Sequence, residues 1–325
     1  MIDPKPKPAT VPVTEQGSGP PAAPSFTGPT RAGFVAIIGA TNAGKSTLVN
    51  RLVGSKVSIV SRKVQTTRGR IRGIAMHGGC QLVLVDTPGI FRPRRRLDRA
   101  MVDAAWSEAS QADITVFLID AARGLSEDVA QVTERLANWP SKPILVLNKI
   151  DLTPKEELLA LAKTLNERAT FEATFMVSAE RGHGVDDLAT HLVAAMPEGP
   201  WLYPEDQVAD APIRSMAAEI TREKIYDRLH EELPYASTVE TTQWKPLKDG
   251  SIRIEQTIFV ERESQRAIVL GDKGRAIKAI SMDARKDIAE MAEKPVHLFL
   301  FVKVRENWGD DPERYREMGL DFPKS

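Results

Sequence analysis

The stretch FVAIIGATNAGKSTLVNRLV, residues 34–53, decides the fold. FVAII is a short apolar run stopped by glycine, the pattern of a strand buried in a sheet, and TLVNRLV has helical spacing. The string between them, GATNAGKS (Gly39–Ser46), matches GxxxxGK[ST] in the strand-to-helix context that this motif requires. Its glycines let backbone amides turn inward around phosphate oxygens, at a helix start whose dipole favours negative charge. Lys45 then reaches the outer phosphates and Ser46 holds Mg2+, while Gly39, Asn42, Ala43, Gly44 and Thr47 complete the cradle.

Base identity comes from farther along the chain. NKID, Asn148–Asp151, follows the apolar run ILVL. The Asp151 carboxylate matches the paired N–H donors on the Watson–Crick edge of guanine; adenine lacks that pair and would leave the carboxylate unpaired. Asn148 is expected to bond the base and the loop, and the apolar stem of Lys149 to cover the ring face. In SAERG, after the next strand, the Ala179 amide is expected to donate to guanine O6 and Ser178 to brace the loop. DTPG, Asp86–Gly89, ends the run LVLV; Asp86 would hold Mg2+ through water and the Gly89 amide would sense the γ-phosphate. Upstream, the polar stretch KVQTTRGR offers Thr67 first, and Thr66 second, to complete the metal shell.

Around these motifs, FVAIIG, IRGIAMHGGCQLVLVDTP, DITVFLID, KPILVLN and ATFMVSA alternate with amphipathic stretches near residues 45–54, 99–110, 126–138, 154–167 and 185–195. That order predicts an α/β fold with a mostly parallel sheet and helices on both faces, and the turn at His77-Gly78-Gly79 predicts one antiparallel hairpin. Residues 1–30, rich in Pro, Gly, Ser and Thr, are expected to be a disordered tail. The assignment continues with a nucleotide domain at 31–197, a Pro-rich and acidic linker at 198–212, and a second domain at 213–325. In that second domain the pattern reads α-β-β-α-α-β. GDKG, Gly271–Gly274, falls between its two central helices and matches the GxxG clamp of KH domains, in which glycines allow close approach of phosphates. Candidate RNA contacts are Gly271, Asp272, Lys273, Gly274, Arg275 and Lys278, with Ile268 and Ile277 lining a groove or, equally, packing in the core.

Composition sets limits. The 325 residues carry 44 Lys+Arg and 44 Asp+Glu, so global charge offers no argument for a polyanionic partner. Residues 261–305 hold 10 Lys/Arg against 7 Asp/Glu, a local excess that suits a short single strand better than broad coating of duplex. One cysteine, Cys80, rules out an intramolecular disulfide framework, and no apolar run approaches 18 residues, so the expected location is the cytoplasm.

Taken together, GATNAGKS, SRKVQTTRGRIRGI, DTPGIF, NKID, SAERG, LYPEDQ, GDKGRAIKAI and VKVRENW resemble the translation-factor-related GTPases and, within them, the Era family, over roughly residues 31–325. The resemblance implies a GTPase domain followed by a type II KH domain, slow GTP hydrolysis, binding near the 3' end of 16S ribosomal RNA, a role in 30S subunit biogenesis, a monomeric chain and weak peripheral association with the inner membrane. Lys45, Thr67, Gly89 and Asn42 are the candidate catalytic groups. Ile90 follows DTPG where many signalling GTPases carry a water-orienting Gln, so the expected arrangement has Asn42 ligating K+ as the source of positive charge. The alternative is an RNA-binding assembly factor in which nucleotide is mainly structural and turnover incidental. RPRRR, Arg92–Arg96, reads as a basic loop that faces RNA, the second domain or solvent.

Overall fold

A computed structural model describes residues 28–61, 63, 66–69, 71–229, 233–306, 308 and 311–323. Residues 1–27 of the expected tail, and Arg62, Val64, Gln65 and Arg70 of the polar loop, lie outside them. Thr30, assigned to the tail, is tied down: its Oγ1 donates to Gly199 O at 2.8 Å and its carbonyl accepts from the Gly199 amide at 3.0 Å.

The N-terminal half is a six-stranded sheet in the order β2-β3-β1-β4-β5-β6. Its strands are β1 (Arg31–Ile38), β2 (Ile71–His77), β3 (Cys80–Asp86), β4 (Ile114–Asp120), β5 (Ile144–Asn148) and β6 (Thr174–Val177). Only β2 runs antiparallel, paired to β3 through the turn at Gly78 and Gly79. Helices α1 (Lys45–Val53), α2 (Arg96–Gln111), α3 (Glu127–Leu136), α4 (Lys155–Arg168) and α5 (Val185–Ala195) cover the two faces. β3 and β4 are buried on both sides and have no exposed residue, which is why their middles are apolar, LVLV and VFLI. One core packs β1 and β3 residues such as Ile37 and Leu84 against α1 and α5; the other packs Ile38, Phe117 and Leu147 against α2, α3 and α4.

Two local expectations shift. The basic run Arg92–Arg96 was expected to be a loop, yet α2 begins at Arg96 because Asp98 Oδ2 accepts the Arg94 and Arg95 amides, each at 3.0 Å, and so closes the helix start. The acidic linker is no free tether. It runs along edge strand β2 and its neighbour β3: the Ile74 amide donates to Val208 O, the Asp210 amide to Arg72 O, and Gln81 Oε1 accepts the Leu202 and Tyr203 amides. An edge that would otherwise present unpaired backbone is thereby covered.

The C-terminal half has the order α6 (Ile213–Arg228), β7 (Ser237–Pro246), β8 (Ile252–Val260), α7 (Glu263–Leu270), α8 (Arg275–Ala292), β9 (Val296–Val304), followed by a short α9 (Pro312–Glu317) that the pattern did not reveal. β8 is central, antiparallel to β7 and parallel to β9. Alternate residues of β8, Ile252, Ile254, Ile258 and Val260 among them, turn inward against α6, α7 and α8. Among the described residues no helix is long and apolar enough to cross a membrane.

Ile258 is fully buried on the central strand, so Ile258→Ala should cost about 2–5 kcal/mol. The expected outcome is a lower urea midpoint for loss of the C-terminal helix and sheet signal; an unchanged midpoint would contradict the core as described.

Candidate functional site

The end of β1 and the start of α1 meet at a loop whose geometry is dictated by close approach. Gly44 has φ 97°, and a Cβ placed there would lie 2.3 Å from Asn148 Nδ2, so only glycine fits. Asn148 in turn staples three segments: its Nδ2 donates to Ala43 O at 2.8 Å and its Oδ1 accepts the Ala179 amide at 3.0 Å. The amide assigned above to guanine O6 is therefore engaged by Asn148 within the protein. Lys149, in the left-handed region at φ 64°, donates to Asn42 O at 2.9 Å and to Asp120 Oδ2 at 2.7 Å, which lays its stem across the loop.

Helix α1 has neither a side-chain cap nor an acidic residue in its first turn, whereas α3, α4 and α5 each carry two acidic residues there. The first-turn amides of Lys45, Ser46 and Thr47 are thus left for an anion, and the dipole favours it. Lys45 is buried beneath the loop, its Nζ donating to Gly39 O at 3.1 Å and Ala40 O at 2.9 Å. Burial pushes its ammonium down from 10.5 to about 8, partly opposed by the charge of Asp86.

Asp86, at the C-terminal end of β3, is completely buried. Its Oδ2 accepts hydroxyls from Ser58 at 2.6 Å, Ser46 at 2.7 Å and Thr67 at 3.2 Å, and Thr67 Oγ1 stands 3.0 Å from Ser46 Oγ. Burial raises the Asp86 carboxyl above its usual range, the hydroxyls and Lys45 acting against that rise. The other oxygen, Oδ1, is buried with no hydrogen-bond partner. Thr66, the second choice for the metal, instead donates its hydroxyl to Lys63 O at 2.8 Å. Gly89 packs directly on Thr41, and the Ile90 amide donates to Gly39 O at 3.0 Å, binding DTPG to the phosphate loop. The Ile90 side chain is buried in the core with Ile38 and Trp106.

A cavity of about 870 Å³ is bordered by Asn42, Lys45, Ser46, Thr67, Gly89 and Lys149; Asp151 does not line it, and its Oδ2 instead pairs with Arg181 Nε. Ser178 holds the Asp151 carboxyl below the usual range, with Arg181, 3.3 Å away, adding to this. Sequence reading missed Ser58, Asp120 and the second domain's share of the cavity wall, Tyr226 and Asp227 of α6. Asp120 had a signal, a carboxylate at a strand end beside the loop; Ser58, held by Asn50 Oδ1 through its amide at 2.8 Å, had none.

In the second domain, Gly271–Gly274 forms the turn between α7 and α8, with Lys273 at φ 51° and Gly274 at φ 76°. Like α1, α8 starts without a side-chain cap or a first-turn acid. Arg275 bonds the Asp272 carboxylate, and both are exposed, as are Lys273 and Lys278. Ile268 is 57% exposed, which removes the core-packing reading for it, whereas Ile277 is half-buried.

The fold and both turns define the class: a P-loop GTPase module joined to a KH domain. Residues 34–149 match the family described as 50S ribosome-binding GTPase, and residues 232–309 match the KH domain family. The chain belongs to the Era GTPase family: it is 67% identical to GTPase Era of Afipia carboxidovorans, over 91% of this chain and 96% of that one. It is 64% identical to GTPase Era of Agrobacterium fabrum, over 91% and 93%. Among solved structures, Era in complex with MgGDPNP and nucleotides 1506–1542 of 16S ribosomal RNA superposes with TM-score 0.83 at 36% identity, covering 89% of this chain and 99% of that one. A single-substitution variant of Aquifex aeolicus Era bound to GDP and tetrafluoroaluminate gives 0.84 at 36%, with the same coverage.

Before nucleotide binds, Lys45 is charged below about pH 8 and loses its proton above it. Phosphate binding then requires reprotonation, so affinity for GDP should be flat from pH 6.5 to 7.5 and fall by up to about tenfold per unit above pH 8. Fluorescence titration of a labelled GDP checks this, and Lys45→Met should flatten the profile.

Proposed function

We propose that this chain is a GTP-hydrolysing switch that binds the 3' region of 16S ribosomal RNA through its KH turn and serves assembly of the 30S subunit in the cytoplasm. The observation that carries the reading is that α1 at Gly44 and α8 at Gly274 each start uncapped and acid-free directly after a left-handed glycine. One presents amides to a nucleotide's phosphates and the other to an RNA backbone. The relative solved with 16S nucleotides and MgGDPNP supports the same pairing of ligands.

On this reading the phosphates sit against the first-turn amides of α1, and Lys45 neutralises the outer ones. Asp151, kept ionised by Ser178 and Arg181, accepts from guanine, while Lys149 covers the ring. The residues present fit Mg2+: an all-oxygen set formed by Ser46, Thr67 and Asp86 gathers around one point, with Asp86 Oδ1 buried and unpartnered. Mg2+ held there supplies positive charge to the β- and γ-phosphate oxygens. Gly89, fixed against Thr41, offers its amide at the γ-phosphate end. Ile90 is turned into the core and orients no water, so stabilisation of the transferred phosphoryl group falls to charges and amides around it.

Asn42 is the K+ ligand in this reading. Its left-handed backbone, φ 62°, is held by the bond from Lys149 to its carbonyl, at the rim of the phosphate cavity. Replacing K+ by Na+ should lower single-turnover hydrolysis at least about tenfold, and Asn42→Ala should erase that difference; equal rates in both salts would remove K+ from the mechanism.

The central test is binding of a labelled oligonucleotide from the 16S 3' end, with a non-hydrolysable GTP analogue or GDP, to the wild type and Gly274→Asp. A Cβ at Gly274 meets no neighbour, so the substitution strains only the φ 76° backbone and adds a carboxylate where phosphate would approach. Affinity should fall about tenfold or more, and the wild type should bind more tightly with the analogue. No loss in the variant would place the RNA contacts elsewhere.

A further inference from the structure

Arg68 is 4% exposed, and among the described residues no carboxylate is hydrogen-bonded to it. Its guanidinium reaches out of the nucleotide half into the KH half, where Nη1 donates to Ser237 O at 2.8 Å and Nη2 to Tyr235 O at 3.0 Å and Pro234 O at 3.1 Å. Tyr226 Oη lies 3.1 Å from Nη2, and the guanidinium carbon stands over the Trp308 ring at 5.5 Å. A buried cation compensated by carbonyls, a hydroxyl and rings costs desolvation energy that an apolar residue would avoid. Such a group suggests geometry worth preserving.

That geometry concerns the preceding residue. Thr67 places its hydroxyl 3.0 Å from Ser46 Oγ and 3.2 Å from Asp86 Oδ2. On the other side, Arg222 of α6, 2% exposed, donates Nη2 to Thr66 O and is itself held by Glu219. Thr67 is therefore suspended between two arginine anchors, one rooted in the KH half and one reaching into it. We propose that Arg68 is a positioning residue for GTP hydrolysis: it fixes the Thr67 hydroxyl in the metal shell by tying that peptide to the main chain ahead of β7. A shift of the 234–237 loop would move the Thr67 hydroxyl, and a pull on Thr67 by bound Mg-GTP would move the loop.

This rests on the assignment of Thr67 to Mg2+, so the experiment separates the two. Affinity for a fluorescent GTP analogue and for labelled GDP is measured against Mg2+ concentration, beside single-turnover hydrolysis, for the wild type, Thr67→Ala, Arg68→Ala, Arg68→Lys and the double variant Thr67→Ala/Arg68→Ala. Thr67→Ala and Arg68→Ala should each raise the Mg2+ concentration for half-maximal analogue binding about tenfold and slow turnover, with GDP affinity kept within about twofold. The double variant should be no worse than either single one, because both remove the same contact. Arg68→Lys keeps charge and most of the volume but replaces the planar fork, which reaches Ser237 O through one nitrogen and Pro234 O and Tyr235 O through another, by a single ammonium, so it should fold and show the Arg68→Ala phenotype. Additive losses, or equal losses of GDP and analogue binding, would reduce Arg68 to a packing residue and overturn the proposal. An unchanged Mg2+ dependence in Thr67→Ala would overturn the metal assignment itself, and with it the role of Arg68.

Discussion

One buried carboxylate organises the nucleotide half. Asp86 has no access to solvent and gathers hydroxyls from α1, from the segment after it and from the loop before β2. A lone carboxylate in such a place costs several kcal/mol in principle, since desolvation disfavours its charge. Three hydroxyls and the nearby Lys45 offset part of that cost, and a cation at the unpartnered Oδ1 would offset more. The same interaction that stabilises the cluster also makes the position of Thr67 depend on what the cluster holds.

From that point the constraint passes between the halves. The segment on both sides of Ser58 is gripped at several places by the α6 region: the Val60 amide donates to Glu223 Oε1 at 2.9 Å, Lys56 pairs with Glu223 at 2.6 Å, and Lys63 donates to the carbonyls of Tyr226 and Leu229. Those carbonyls belong to the end of α6, so the lysine satisfies groups that a helix terminus leaves unpaired. On the other side, Tyr315 and Leu320 from the chain end pack on Ala100 and Met101 of α2, beside Phe91, which follows DTPG closely. The segment around Ser58 and the one after DTPG are thus both in contact with the C-terminal half, a continuous packed path between the phosphate loop and the KH domain.

The nucleotide loop, DTPG, NKID, SAERG and GDKG were legible in sequence because each depends on local backbone geometry: a glycine where φ is positive, a helix start without a cap, a carboxylate at a strand end. The strands and most helices were legible for a similar reason, since burial writes a period into neighbouring residues. Helix α2 was placed late because a run of arginines has no apolar period, and its start depends on Asp98 reaching back to two amides. Ser58 and Arg222 escaped notice altogether; a serine in KVSIV and an arginine on an amphipathic helix carry no local mark of being buried.

By itself, the sequence determined the P-loop module, the α-β-β-α-α-β domain, the order of GATNAGKS, DTPG, NKID and SAERG along the chain and the position of the GDKG turn, all of them matters of short-range spacing. Only the tertiary structure decided that Thr67, not Thr66, joins Ser46 and Asp86, that Ala179 donates to Asn148, that Ile90 turns inward, and that Arg68 crosses to the KH half. The reason is separation along the chain. Arg68 and Ser237 are 169 residues apart, and a hydrogen bond across that distance is set by how two finished units pack, which no local pattern of residue types encodes.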